Sequence, residues 1–425
     1  MLAKKISIRG FAAAAAQAQS SFTSGIEAKV SRLPNGLTAA SIDLNGSVSS
    51  LVVAYRAGSR FQQPNESGVV HTLRNSIGKD SAKYLGVKLL WQMGGAGGNL
   101  SSFATKDSLA VQLDVVRDNT PIGISLLGEF ASPALKAWDL EDAEAALAYD
   151  LRTQKPYDWV LDLFHKSAYR NGSLATTVLA HSGQNHIDNR QIESFAHSRL
   201  LTGEAVLFGI NVDHSDLLNY AGQQSAIREG KAASATESPY IGNQDTRREA
   251  LTSTAHVLIG GEGAGLNNRS AVAVQEVLAQ LITKLELKTN ERPYGLAPLN
   301  VFHSDSGLAG VYVATDGQYA NEAVRAAWQH LKTLAKDGPG EEQFKVAQKS
   351  AQLEALLHLE WPSHLALDQS HQVLATGELL LPQDLSEAIQ KVSADDIKKA
   401  AKKIVDKPSL AAYGRINQVP YLDQL

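Results

Sequence analysis

Two patterns of apolar spacing alternate along this chain. Segments in which apolar and polar residues alternate, such as SSLVVAYRAGSR (49–60) and DSLAVQLDVV (107–116), predict strands. Longer stretches with helical spacing follow them, TPIGISLLGEFASPAL (120–135) among them. AIREGKAASATES (226–238) is polar and small with no apolar period, and it reads as a linker. The pattern repeats on either side of it. NLSSFATKDSLAVQLDVVRDNTPIGISLLGEF in the first half and LNVFHSDSGLAGVYVATDGQYANEAVRAAWQHL in the second both run strand, turn, strand, helix. Phe103 then matches Phe302, Leu109 matches Leu308, and Val111 matches Gly310. The expected fold class is α+β: two homologous domains, each a largely antiparallel sheet covered by helices.

Length agrees, since 425 residues exceed what one hydrophobic core usually serves. Charge narrows the function classes. With 40 Lys+Arg against 44 Asp+Glu, a net charge of -4 and no sustained basic stripe, nucleic acid is not an expected partner. No window reaches the roughly 18 consecutive apolar residues of a membrane span, so no transmembrane segment is expected. The chain has no cysteine, which removes disulfides, thiolate metal sites and cysteine nucleophiles; any metal would need His, Asp and Glu.

The first residues, MLAKKISIRGFAAAAAQAQSSFTSG, carry Lys4, Lys5 and Arg9, are rich in Ala and Ser, and contain no acid before Glu27. That composition suits a mitochondrial presequence better than a secretory signal, whose apolar centre would here be alanines interrupted by Gln17 and Gln19. The expected organisation is a presequence at 1–22, domains at 23–225 and 239–425, and the linker at 226–238.

Candidate chemistry is sparse. GGAGGN (94–99) and GGEGAG (260–265) lack GxGxxG spacing and any following Lys-Ser/Thr pair, so they predict tight turns rather than phosphate loops. His364, Asp368 and His371 would share one helix face, with Pro362 starting that helix; a polar face is the simpler reading, and a metal site the sharper one. ESGVVHTLRNS (66–76) carries more information. In an H-x-x-E-H helix, histidines at i and i+4 hold zinc while the Glu acts as general base on bound water. Here the five residues read His71-Thr72-Leu73-Arg74-Asn75. One ligand remains, the base position holds a permanent cation, and the second ligand position holds an amide.

The segments RAGSRFQ…NESGVVH and GGAGGNLSSFATKDSLAVQLDVV, with YIGN at 240–243, resemble the signature of the mitochondrial processing peptidase (pitrilysin) metallopeptidase family. The likeness spans essentially everything after the basic N-terminus. Within the family, the H-x-x-R form at 71–74, HSDSGLAGVYV (303–313) and AAYGRINQVPYLDQL (411–425) resemble its non-peptidase core subunits of mitochondrial ubiquinol-cytochrome c reductase. This resemblance implies no catalytic residues, no bound cofactor and no metal, with His71, Arg74 and Asn75 as a degenerate motif. The family's third ligand, a Glu, would fall close to Ala148, where only Asp150 is acidic, so that ligand too is expected to be absent. Partners implied are a paralogous core subunit and the cytochrome b, cytochrome c1 and Rieske iron-sulfur subunits of a homodimeric complex. The place implied is peripheral, on the matrix side of the mitochondrial inner membrane, with the apolar tail VPYL (419–422) as a contact element. Two alternatives stand beside it: an atypical metallopeptidase using His364, Asp368 and His371, and a substrate-recognising processing-peptidase subunit. The second is disfavoured because 279–307 has only isolated glycines where that subunit carries a long glycine-rich loop.

Overall fold

The computed structural model describes residues 27–179, 188–224, 226–232, 237–283 and 295–425. The expected presequence, the middle of 226–238 and residues 284–294 lie outside them.

Two sheets form the frame. The first contains β1 (Glu27–Arg32), β2 (Thr38–Asp43), β3 (Val48–Tyr55), β4 (Asn99–Ala104), β5 (Leu109–Val116) and β6 (Ala205–Ile210), in the order β1-β2-β6-β3-β5-β4. The second contains β7 (Gln244–Glu249), β8 (Thr254–Glu262), β9 (Gly295–Phe302), β10 (Gly307–Asp316) and β11 (Ser409–Gly414), in the order β7-β11-β8-β10-β9. In each, the last strand in sequence inserts beside an early one as the one parallel pair, β2/β6 and β7/β11, and the other pairs are antiparallel. The repeat read from the sequence is therefore a repeat of topology.

Its register needs a correction of one residue. The hairpin tips Thr105–Ser108 and His303–Ser306 close on Ala104↔Leu109 and Phe302↔Gly307. Asp107 is thus equivalent to Asp305 and Ser108 to Ser306, whereas matching Leu109 to Leu308 is one position out. Apolar similarity tolerates such a slip; strand pairing does not.

The helices of the first half are α1 (Val69–Asn75), α2 (Gly86–Gly95), α3 (Thr120–Phe130), α4 (Ala137–Thr153), α5 (Pro156–Tyr169), α6 (Asn189–Arg199) and α7 (His214–Gln224). The second half adds α8 (Arg269–Thr283), α9 (Ala320–Asp337), α10 (Glu341–Leu357), α11 (Pro362–Thr376), α12 (Pro382–Gln390) and α13 (Ala394–Asp406). Proline at the first position starts α5, α11 and α12, where its missing N–H costs nothing. Helix α3 stops at Phe130, short of the predicted stretch, as Pro133 biases Ser132 away from helical angles.

β3 shows why both domains are needed. From Ser49 to Tyr55 it is buried on both faces. Leu51, Val53 and Tyr55 enter a core with α3 residues Ile124, Leu127 and Phe130, while Val52 and Ala54 meet Leu365, Ala366, Val373 and Leu374 of α11. The second sheet receives a helix in return. Val160, Phe164, Ala168 and Tyr169 of α5 pack on Leu258, Leu308 and Ala411. Each domain thus lends one helix to the other's sheet, and a large side chain buried there stabilises by roughly 1.5–3 kcal/mol. The ends of 226–238 are held down as well: Arg228 and Gly230 accept from the backbone of Thr202 and Gly203, and Ser238 accepts from the amide of Leu174.

The glycine clusters divide. Gly94 and Gly95 end α2, and Gly97 turns the chain with φ +67. Gly260 and Gly261, by contrast, lie inside β8 rather than in a turn, since a Cβ at Gly260 would stand 2.3 Å from the Ala309 carbonyl oxygen on β10. The tail is also folded in: Val419 is buried, and Arg247 donates to the Val419 and Pro420 carbonyls and lies over the Tyr421 ring. Much of VPYL therefore belongs to the second domain's own core rather than to a free contact surface.

Candidate functional site

Helix α1 follows Gly68, whose φ of +98 is a left-handed conformation that side chains resist, so the chain turns sharply before the motif. Val69, Val70 and Leu73 anchor α1 in the first core, and His71 is fully buried beside them. The opposing wall is α4. Leu140, Ala143, Leu147 and Asp150 recur on it at helical spacing, which turns Asp150 toward α1 and leaves Ala148 exposed.

Asp150 Oδ2 gathers all three residues of the degenerate motif. It lies 2.9 Å from His71 Nε2, 2.7 Å from Arg74 Nη2 and 3.0 Å from Asn75 Nδ2. Asn75 Nδ2 also donates to the His71 carbonyl at 3.1 Å, fixing its amide toward Asp150. Burial pushes the Asp150 carboxyl up, but the bonds from His71 and Asn75 and the Arg74 charge outweigh it and hold the group below the usual carboxylate range. The expectation that no acid stands at the third-ligand position is corrected: a carboxylate does face His71, two residues beyond Ala148. It is engaged by a guanidinium and an amide in addition to the histidine. Among the described residues no group of three His, Asp or Glu side chains converges as metal ligands.

His364, Asp368 and His371 are not brought together. The His364 ring stacks on Trp361 with centroids 6.0 Å apart, Asp368 pairs with His358 at 3.3 Å, and His371 Nε2 meets Ser108 Oγ at 2.9 Å. Burial pushes the His371 ring below the ordinary histidine value. Ser108 Oγ is shared with Thr105 Oγ1 at 2.9 Å, so this contact ties α11 to the first hairpin tip.

Arg74 and Asp150 border a cavity of about 990 Å³ between the domains, also lined by Lys106, Asp107, His165, His303, Asp305 and His371. Its wall holds a cluster that reading the sequence missed. Arg60, buried in the turn after β3, donates to Asp107 Oδ1 at 2.6 Å and to both Asp305 oxygens, at 2.9 and 2.8 Å. Gly58 permits this approach, because a Cβ there would stand 2.3 Å from the Lys106 carbonyl oxygen. His303 Nδ1 meets Asp107 Oδ2 at 2.9 Å, and Lys106 Nζ meets Asp162 at 2.7 Å. The two equivalent hairpin tips, one per domain, are thus clamped across a single guanidinium. The signal was the D-S pair shared by TKDS and HSDS, hidden by the one-residue slip.

Similarity to known proteins bears on this geometry. A family model described as Insulinase (Peptidase family M16) matches residues 38–182, and one described as Peptidase M16 inactive domain matches residues 186–351. The second match begins before β6, which the hydrogen bonding nonetheless assigns to the first sheet. The chain is similar to the rat protein "Cytochrome b-c1 complex subunit 2, mitochondrial", 26% identical, covering 94% of this chain and 92% of that protein. Its human counterpart is 25% identical, with 93% and 91% covered. A probable mitochondrial-processing peptidase subunit alpha-1 from Arabidopsis thaliana is 22% identical over 93% of this chain and 84% of its own length. Among solved structures, a chain of complex III2 from Candida albicans, Inz-5 bound, shares the fold with a TM-score of 0.81 at 19% identity, covering 93% of this chain and 98% of that one.

Proposed function

We propose that this chain, which belongs to the insulinase (M16) peptidase family, is the second core protein of mitochondrial ubiquinol-cytochrome c reductase: a scaffold subunit with no chemistry of its own. The observation that carries the non-catalytic part is the ion pair at the motif. Asp150 is bonded to His71, Arg74 and Asn75 together, so the place where a peptidase would hold zinc is bridged by a guanidinium and a carboxylate. Arg74 cannot take a proton from water, and its charge repels a divalent cation. What remains of the site is a cross-link between α1 and α4.

In this reading the chain pairs with the paralogous core protein 1 and supports the cytochrome b, cytochrome c1 and Rieske subunits of a homodimeric complex. It contributes no haem, quinone or iron-sulfur ligand. Its attachment in this reading is peripheral, on the matrix face of the inner membrane; no described helix is long and apolar enough to cross a membrane. Residues 1–22 would direct import, and the mature protein would comprise domains 23–225 and 239–425 joined by 226–238. Native isolation from mitochondrial membranes tests the assignment. The chain should migrate with b- and c-type haem absorbance, and migration as a haem-free soluble species would reject it.

A second reading draws on the likeness to processing-peptidase alpha subunits and on the cavity of about 990 Å³ between the domains. There the chain would recognise presequences for a catalytic partner. Saturable binding of a basic presequence peptide by the haem-free chain, with stimulation of cleavage by a partner subunit, would favour it over the scaffold role.

A further inference from the structure

We propose that the domain interface contains a proton-binding site: His165 on α5 and His303 on the second hairpin tip share one proton beyond the two that neutral rings would carry, and the resulting cation latches the domains together. His165 Nδ1 lies 2.8 Å from the Leu161 carbonyl oxygen, which can only accept, so this nitrogen carries a hydrogen. His303 Nδ1 lies 2.9 Å from Asp107 Oδ2. Burial pushes the Asp107 carboxyl up, yet the bonds and charges of His303 and Arg60 outweigh it and hold the group far below the usual range, so this oxygen also only accepts. Both Nδ1 hydrogens are thereby assigned. The two Nε2 atoms nevertheless face each other at 3.1 Å, with both rings buried. Neutral rings would oppose two lone pairs there, whereas one additional proton makes the contact a charge-assisted hydrogen bond.

The surroundings locate the charge. Burial, with Lys106 nearby, pushes His165 well below the ordinary histidine value, which makes it the neutral acceptor and leaves the charge on the ring facing Asp107. Two carboxylates, Asp107 and Asp305, then face one guanidinium, Arg60, and one imidazolium. Charged groups near the pair include Lys106, Asp162 and Lys166, with Asp158 on α5, Glu262 on β8 and Arg248 on β7 beyond them. Lys106 and Lys166 both pair with Asp162, at 2.7 and 3.5 Å. His371 lies farther along the same wall, and Tyr169 meets Ser306 through its hydroxyl at 2.7 Å.

The test uses the full chain with 15N-labelled histidine, near neutral pH, with and without a chelator. One ring should show both nitrogens protonated, that signature should vanish in His303→Gln, and the chelator should leave it unchanged. Two neutral rings would overturn the proposal, and so would stoichiometric zinc whose removal alters the signal, since the cation would then be a metal. Unfolding of the wild-type chain gives a second readout that needs no variant. If the pair holds a proton that the unfolded chain does not, the folding equilibrium constant should fall by up to about tenfold per pH unit as pH rises above the unfolded histidine value and the pair gives up that proton. A flat profile there would reject the site.

Discussion

Arg74 stands where an H-x-x-E-H helix would carry its Glu, and its consequence lies at a residue on another helix. Asp150→Ala would leave the buried His71 ring and the Arg74 charge without their shared acceptor, so we expect a loss of about 2–4 kcal/mol, read from urea midpoints at neutral pH. The pH dependence has a fixed sign. A carboxyl depressed on folding contributes its full stability above the unfolded value of about 3.9, and loses it as pH falls through the depressed one. Wild type should therefore lose stability on acidification through that window more steeply than Asp150→Asn. Because Asp150 faces His71, Arg74→Glu with Asn75→His would complete a ligand set. Two histidines on α1 and a carboxylate on α4 would then converge, so the double variant should retain one zinc per chain after gel filtration, where wild type retains none. His71, Arg74 and Asn75 were legible as residues. Asp150 was legible only as the sole acid near Ala148, because the rotational phase of α4 follows from its burial stripe, not from a ligand count.

At the scale of elements, strands and helices were readable from their periods, but the partner of a helix was not. Nothing in PYDWVLDLFHKSAY says that its apolar face covers the second domain's sheet rather than its own. Phe164 on this helix is fully buried against Leu258 and Ala411, so Phe164→Ala should cost about 3–5 kcal/mol. Because α5 and α11 each belong to one half and pack on the other, wild type should unfold in a single calorimetric transition. Two resolved transitions would show the exchange to be energetically minor. The exchange also explains why β3 and β8 are buried on both faces although their sheets are largely antiparallel.

For the whole molecule, the decisive link is the clamp of both hairpin tips on Arg60. Arg60→Ala strands two carboxylates at the interface, and we expect a loss of about 3–5 kcal/mol in chemical denaturation. Arg60→Lys should recover less than half of it, because a point charge cannot span Asp107 and both oxygens of Asp305 as a guanidinium does. Full recovery by Lys would mean that charge alone, without the planar fork, holds the tips. By itself the sequence determined what is local: strand and helix periods, a two-fold repeat, and a motif whose residue types oppose zinc chemistry. These follow from the side chain and its near neighbours, where spacing along the chain equals spacing in space. Only the tertiary structure decided which acid meets His71, which sheet each crossing helix covers, how the two hairpins register, and that His165 and His303 meet at all. Those contacts join residues more than a hundred positions apart or depend on a helix's rotation, and both are set by how two cores close on each other rather than by any pattern in one segment.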